Sequence, residues 1–163
     1  MSKHKLERFA ENATFGNLFQ HTEYDRVGEA FPLRGRWRED YFRNDRPIVL
    51  ELGCGRGEYT VAMARRSPGR NYIGIDRKGA RLWRGCKDAL EQGLSNVAFL
   101  RITIDHIGWY FAPGEVDEIY LVYTQFVSMI SQKTTMERLL PMSPKEVEEN
   151  VAKLAGEEEE ENE

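Results

Sequence analysis

One segment constrains the fold of this chain more than any other. An apolar run over residues 48–52 carries Glu51 near its end, and glycines follow at positions 53, 55 and 57 before a helical pattern begins. About 20 residues on, a second apolar run ends in Asp76, which is the arrangement of a nucleotide-binding βαβ unit. The spacing is not of the dinucleotide type, because G-x-G-x-x-G would need glycine at position 58, where Glu58 stands.

Strands and helices alternate over residues 47–122. The pattern predicts strands at 48–52, 71–75, 97–101 and 118–122, helices at 58–66 and 78–92, and a short helix at 105–111. This alternation favours a parallel sheet with right-handed crossovers. Residues 123–132 fit either a continued strand or a short helix, and a further helix is expected over about 143–154.

These patterns divide the chain into four parts. We expect an N-terminal arm (1–46), an α/β half-domain (47–122), a divergent C-terminal segment (123–155) and a disordered acidic tail (156–163). The net charge of −4 is unevenly distributed, because residues 145–163 hold nine acids and two bases and the rest is mildly basic. A basic body suits a polyanionic partner.

The composition excludes several classes of protein. No apolar run is long enough to cross a membrane, and no secretory signal is seen, so a cytoplasmic location is expected. Cys54 and Cys86 are the only cysteines, and we expect both to be reduced. His4, His21 and His106 lack ligand spacing, so no metal site is expected.

Residues 1 to about 121 resemble the bacterial tRNA (guanine-N7-)-methyltransferases. The E-x-G-x-G-x-G pattern at 51–57 is that of S-adenosylmethionine (SAM) methyltransferases, and the segments that carry the narrower resemblance are 5–12, 31–35, 47–60, 73–81, 93–101 and 111–119. The resemblance implies a Rossmann-like α/β fold with a parallel sheet, SAM as cofactor, tRNA as partner, and methyl transfer to a tRNA guanine.

The same resemblance assigns cofactor residues. It implies that Glu51 and the backbone of Gly53, Gly55 and Gly57 hold SAM, and that Asp76 binds the ribose. The family's adenine-side position falls on Thr103, and the nearby acid Asp105 could substitute for it.

The chain departs from the family after the strand predicted at 118–122. The family continues into Thr-Phe-Pro-Asp-Pro, whose Asp contacts guanine. Here Gln125 stands at the Asp position and neither proline is present. The family's later basic segment, its Thr-x-x-Glu motif and its last three strands are also missing. We therefore expect a sheet whose C-terminal strands are incomplete or replaced, with the catalytic residue unknown and turnover doubtful.

Residues of about 116–142 resemble a second family, the gamma subunit of F-type ATP synthases. A junction near 117–121, where both families share residues, suggests a chimera. Two alternatives to the enzyme stay open: a remnant that binds SAM or tRNA without turnover, and a fused fragment of the gamma subunit. An open edge at 118–122 would also favour self-association unless residues 123–132 cover it.

Arginines supply the candidate contacts to tRNA phosphates, namely Arg34, Arg36, Arg77, Arg81 and Arg84. The last three recur at helical spacing. The alternative for these three is an ordinary solvated helix face, with Asp88 and Glu91 as local partners.

Overall fold

The computed structural model of the chain describes residues 2–20, 30–128 and 131–138. Its strands are β1 (Leu18–Gln20), β2 (Ile48–Leu52), β3 (Asn71–Asp76), β4 (Val97–Arg101), β5 (Glu118–Ser128) and β6 (Ser131–Arg138). Its α-helices are α1 (Lys3–Asn12), α2 (Glu58–Arg66) and α3 (Gly79–Glu91). A π-helical turn (Trp37–Phe42) and a 3-10 helix (Ile104–Trp109) complete the described elements.

The six strands form one sheet in the order β1-β4-β3-β2-β5-β6. The first five are mutually parallel, and β6 runs antiparallel to β5. Leu50 is in register with Ile73 on one side and Ile119 on the other. This arrangement confirms the predicted Rossmann-like α/β fold. Because the strands are parallel, their carboxyl ends meet at one edge of the sheet, where ligands of open α/β sheets bind.

Each face of the sheet has its own core. On one face, Val49 and Phe99 pack with residues of α2 and α3, including Leu82. On the other face, Leu50 and Leu52 pack against aromatic residues from segments 31–42 and 107–111. Both faces of β2 are therefore covered, which is why its run is apolar apart from Glu51.

The N-terminal segment is part of this packing. β1 pairs in parallel with β4, so residues before 46 extend the sheet. Trp37 is fully buried, and its indole N–H donates to the carbonyl oxygen of Tyr110 at 2.9 Å. Phe31, Trp37 and Phe42 of this segment are buried in the core on one face of the sheet. The domain boundary at residue 46 stays a prediction.

The C-terminal side differs from expectation. β5 continues to Ser128, so the strand alternative for residues 123–128 is correct. The sequence did not predict β6, which pairs with β5 from Tyr120 to Ser128 and covers the edge we expected to be open. β6 is now the outer strand on this side of the sheet, and self-association stays a prediction. The helix expected at 143–154, the acidic tail and residues 139–142 lie outside the described residues.

Candidate functional site

A cavity of about 290 Å³ opens where β2, β3 and β4 end. It is lined by Gly53, Asp76, Arg77, Lys78, Arg81, Ile102, Thr103, Ile104 and Asp105. Gly53 follows β2, the charged residues from 76 to 81 lie at the end of β3 or the start of α3, and residues 102–105 follow β4. The cavity thus lies at the carboxyl edge of the sheet, as the βαβ pattern predicts.

Asp76 organises the rim of this cavity. Its Oδ2 accepts a hydrogen bond from the backbone N–H of Gly55 at 2.9 Å. Its Oδ1 accepts one from the backbone N–H of Lys78 at 2.8 Å. The carboxylate therefore joins the glycine loop to the start of α3. Since each oxygen has a second lone pair, Asp76 can still accept hydrogen bonds from vicinal hydroxyls of a ligand.

The three loop glycines serve different purposes. Gly53, Gly55 and Gly57 all adopt positive φ, at 70°, 57° and 74°. A Cβ on Gly57 would lie 2.6 Å from Phe99 Cε1 and 3.1 Å from the Cα of Gly85, so this glycine lets α2 and α3 approach the sheet. A Cβ on Gly55 would meet nothing within 4 Å, so that position borders open space.

Glu51 lies beneath the loop and is almost completely buried. The hydroxyl of Thr60, on the first turn of α2, donates to its Oε2. Its Oε1 is buried and has no hydrogen-bond partner among the described residues. Burial raises the pKa of Glu51 to about 7, although the Thr60 hydrogen bond lowers it. A cationic donor would satisfy the unpaired oxygen and favour the charged carboxylate.

These features fit SAM. Ile102 and Ile104 give an apolar wall suited to a purine, and Asp76 can accept from ribose hydroxyls. The buried, unpaired oxygen of Glu51 matches the positive charge of the amino acid part. The donor set therefore fits the cofactor's chemistry.

The structure brings most of the proposed cofactor residues together. Gly53, Asp76, Thr103 and Asp105 line the cavity. Gly55 contacts Asp76, whereas Glu51 and Gly57 lie behind the lining. Sequence reasoning missed Lys78, Ile102, Ile104 and Thr60. Alternation of Ile102 and Ile104 around Thr103 is a signal that could have identified the two isoleucines. The individual roles stay predictions.

The five candidate RNA-binding arginines are all exposed but differ in their partners. Arg77 and Arg81 line the cavity. Arg36 pairs with Asp40 and Glu39, and Arg84 pairs with Asp88 at 3.3 Å. Arg34 donates through Nε to the carbonyl of Gly108 at 3.0 Å. The ion pair of Arg84 favours the view that this residue belongs to an ordinary solvent-exposed helix face. Arg77 and Arg81, which line the cavity, are the better candidates for contact with a ligand.

The two cysteines, both within the described residues, do not form a disulfide. Both Cys54 and Cys86 are free and buried, and burial raises the pKa of each thiol. No group of three or more His, Cys, Asp or Glu in the described part of the chain could hold a metal ion. None of the helices within those ranges is long and apolar enough to cross a membrane.

Known proteins similar to this chain point the same way. Over 138 residues it is 52% identical to the tRNA (guanine-N(7)-)-methyltransferase of Christiangramia forsetii, covering 85% of this chain and 61% of the relative. It is 49% identical over 125 residues to the protein of that name from Bacteroides fragilis, covering 76% and 49%. The chain thus spans about half to three-fifths of these relatives' length.

The longer of these matches also bears on where the resemblance ends. A match of 138 residues in a chain of 163 must continue past residue 121, where we expected the similarity to stop.

Two further comparisons concern the fold and the family. A solved structure described as "Structure of an antibiotic related Methyltransferase" is 14% identical, with a TM-score of 0.45, covering 61% of this chain and 68% of that one. The model of the family described as "Putative methyltransferase" matches residues 45–126, half of the chain, including the glycine loop, Asp76 and the cavity lining. The chain therefore belongs to this methyltransferase family.

Proposed function

We propose that this chain derives from a SAM-dependent tRNA (guanine-N7-)-methyltransferase and retains its cofactor-binding half. The observation that carries the proposal is the cavity at the carboxyl edge of the sheet, where Asp76 links the glycine loop to α3. The names of the relatives supply the substrate class, tRNA. A cytoplasmic location follows from that substrate class.

In this proposal, the residues of the chain bind the cofactor and orient it. Bound SAM would supply an electrophilic methyl group on a sulfonium, to be attacked by guanine N7. Asp76 would accept hydrogen bonds from the ribose hydroxyls, the isoleucine wall would hold the purine, and the buried Glu51 would face the positive charge of the amino acid part. Thr103 or Asp105 stands where a polar residue can contact the adenine edge. Most of the rate enhancement in such a transfer comes from holding the two reactants in line.

Holding the guanine is where this chain departs from the family. By resemblance, Gln125 stands at the position of the guanine-contacting Asp. Gln125 lies within β5. An amide cannot supply the carboxylate's charge, so the chain is expected to bind SAM and tRNA with little turnover. The substitution at Gln125 favours this second function, a binding protein without turnover. The gamma-subunit resemblance of residues 116–142 and the chimera stay predictions.

Two measurements test the proposal. Titration calorimetry with S-adenosylhomocysteine should show binding by the present chain. A tritiated-methyl transfer assay on unmodified tRNA should show near-background turnover by this chain. Turnover should appear in a graft that restores Thr-Phe-Pro-Asp-Pro at 122–126 and the family's remaining strands. Absence of S-adenosylhomocysteine binding would contradict the cofactor assignment, and robust N7-specific turnover by the present chain would show that its own C-terminal segment is sufficient.

A further inference from the structure

The short helix beside the cavity carries two stacked rings, of which His106 is half-buried and Trp109 is exposed. The rings of His106 and Trp109 are 4.1 Å apart between centroids and inclined by only 4°. The two rings belong to residues three positions apart, and the helix is kinked at His106, where φ is −103° and ψ is 17°. Trp109 is 49% exposed, although it carries the largest apolar surface of this helix. His106 covers one face of the indole, so the exposed area belongs to the other face and the ring edge.

A single exposed aromatic residue is common and carries no meaning by itself. Two neighbours of Trp109, the stacked ring of His106 and the guanidinium of Arg34, make this residue different. Arg34 is anchored to the helix through its Nε hydrogen bond to the Gly108 carbonyl, directly before Trp109. Its two terminal nitrogens have no hydrogen-bond partner among the described residues and remain available to a phosphate. An aromatic face beside a guanidinium is the combination with which proteins hold unpaired nucleotides.

The position of the pair fits a nucleic acid that enters the site. Ile104 and Asp105 line the cofactor cavity and belong to the same 3-10 helix as the stacked rings. A nucleotide stacked on Trp109 would therefore lie near the mouth of the cavity. Asp105 is exposed and anionic, and it repels phosphates. The charge of Asp105 therefore favours an uncharged base on the rings. It also favours a path for the phosphate backbone of the RNA on the Arg34 side.

We propose that His106 and Trp109 form a stacking platform for an unpaired base of the RNA substrate, with Arg34 binding the adjacent phosphate. The proposal deepens the proposed function and rests on it, because the RNA is the tRNA whose guanine would reach the cavity. The base on the platform is a neighbour of the target guanine and is held by its π-face, so the platform does not select a particular base.

The test compares the affinity of the full chain for fluorescently labelled unmodified tRNA by anisotropy. Trp109→Ala should weaken binding by about 5- to 150-fold, the range found for loss of one aromatic–base stack. Trp109→Phe should keep most of the affinity, because a phenyl ring still stacks. Leu90→Ala is the matched control, since Leu90 is 46% exposed but lies at the far end of α3, and it should leave binding unchanged.

Tryptophan emission gives a second, direct measurement. Trp37 is buried, and Trp83 donates to Glu11 and packs against Arg8 and Lys87. RNA stacked on Trp109 should therefore quench emission of the wild type, and Trp109→Phe should remove most of that quenching. Equal tRNA affinity of the wild type and Trp109→Ala, or quenching that persists in Trp109→Phe, would overturn the platform. So would Trp109-dependent self-association in light scattering without RNA. Since S-adenosylhomocysteine binding and turnover by the graft do not depend on these comparisons, failure of the platform is distinguishable from failure of the proposed function.

Discussion

The Oδ2 atom of Asp76 accepts a hydrogen bond from the backbone N–H of Gly55, at 2.9 Å across 21 residues of sequence. The acid at the end of β3 thereby fixes the glycine loop that follows β2. The loop is ordered by the protein itself, so less conformational entropy is lost when a ligand binds.

Asp76 should therefore contribute to both stability and ligand binding. Asp76→Ala removes two hydrogen bonds from backbone N–H groups to a charged acceptor, each worth about 1.5–3 kcal/mol. We expect a lower melting temperature and a loss of S-adenosylhomocysteine affinity of at least about tenfold, corresponding to 1.4 kcal/mol. Calorimetry and thermal unfolding measure the two effects. Asp45→Ala, at an exposed position, is the control and should change neither. An unchanged affinity in Asp76→Ala would exclude this carboxylate from the site.

Gly57 and Gly55 should respond differently to alanine. Gly57→Ala should lower the free energy of unfolding by about 1–2 kcal/mol because its side chain lies at positive φ. The contact with Phe99 should lower it by about a further 1–3 kcal/mol. Gly55→Ala incurs only the first of these costs, because its Cβ points into open space. Urea unfolding of the two variants measures the difference. Equal loss of stability would show that Phe99 moves aside freely.

Glu51 predicts a specific dependence of stability on pH. Its pKa is about 7 in the folded protein against 4.5 for an ordinary glutamate, so the folded state holds the proton more tightly. The resulting stabilisation is complete below about pH 4.5 and is lost as the pH rises through about 7. Its size is on the order of 3 kcal/mol.

Urea unfolding at a series of pH values tests this dependence. Glu51→Gln should flatten the decline between pH 4.5 and 7 relative to the wild type. Thr60→Val removes the hydrogen bond that lowers the pKa, so it should move the decline to higher pH. A wild-type decline that Glu51→Gln leaves unaltered would assign the titration to another group.

The acidic tail should weaken RNA binding without supporting the fold. Its glutamates repel phosphates, and we expect so short an acidic run to bury too little apolar surface to support the fold. Deleting residues 156–163 should leave the melting temperature nearly unchanged and should strengthen tRNA binding at low salt more than at high salt. A marked drop in melting temperature would mean that the tail packs against the body.

The sequence by itself determined the central unit of the fold. The bounds of β2, α2 and β4 agree with the predicted ones residue for residue, and β3 and α3 agree within one residue. These elements carry strong local signals: a continuous apolar run for each buried strand, and glycine or proline where each element ends. The glycine loop and Asp76 could be assigned to one site because parallel strands place their carboxyl ends together.

Only the tertiary structure decided what the described segments on either side of this central unit contribute. β1 has three residues, and no periodicity distinguishes it from a loop, so its pairing with β4 comes from long-range contacts. Glu115 was not singled out, yet its carboxylate accepts hydrogen bonds from the backbone N–H groups of Gly35, Trp37 and Ala112 and holds the N-terminal segment to the sheet. The local sequence pattern does not predict β6 either, because this strand is mostly polar and pairs with β5 through backbone hydrogen bonds. Contacts between residues far apart in the chain form only when the sheet has assembled, so they cannot be predicted from the local sequence.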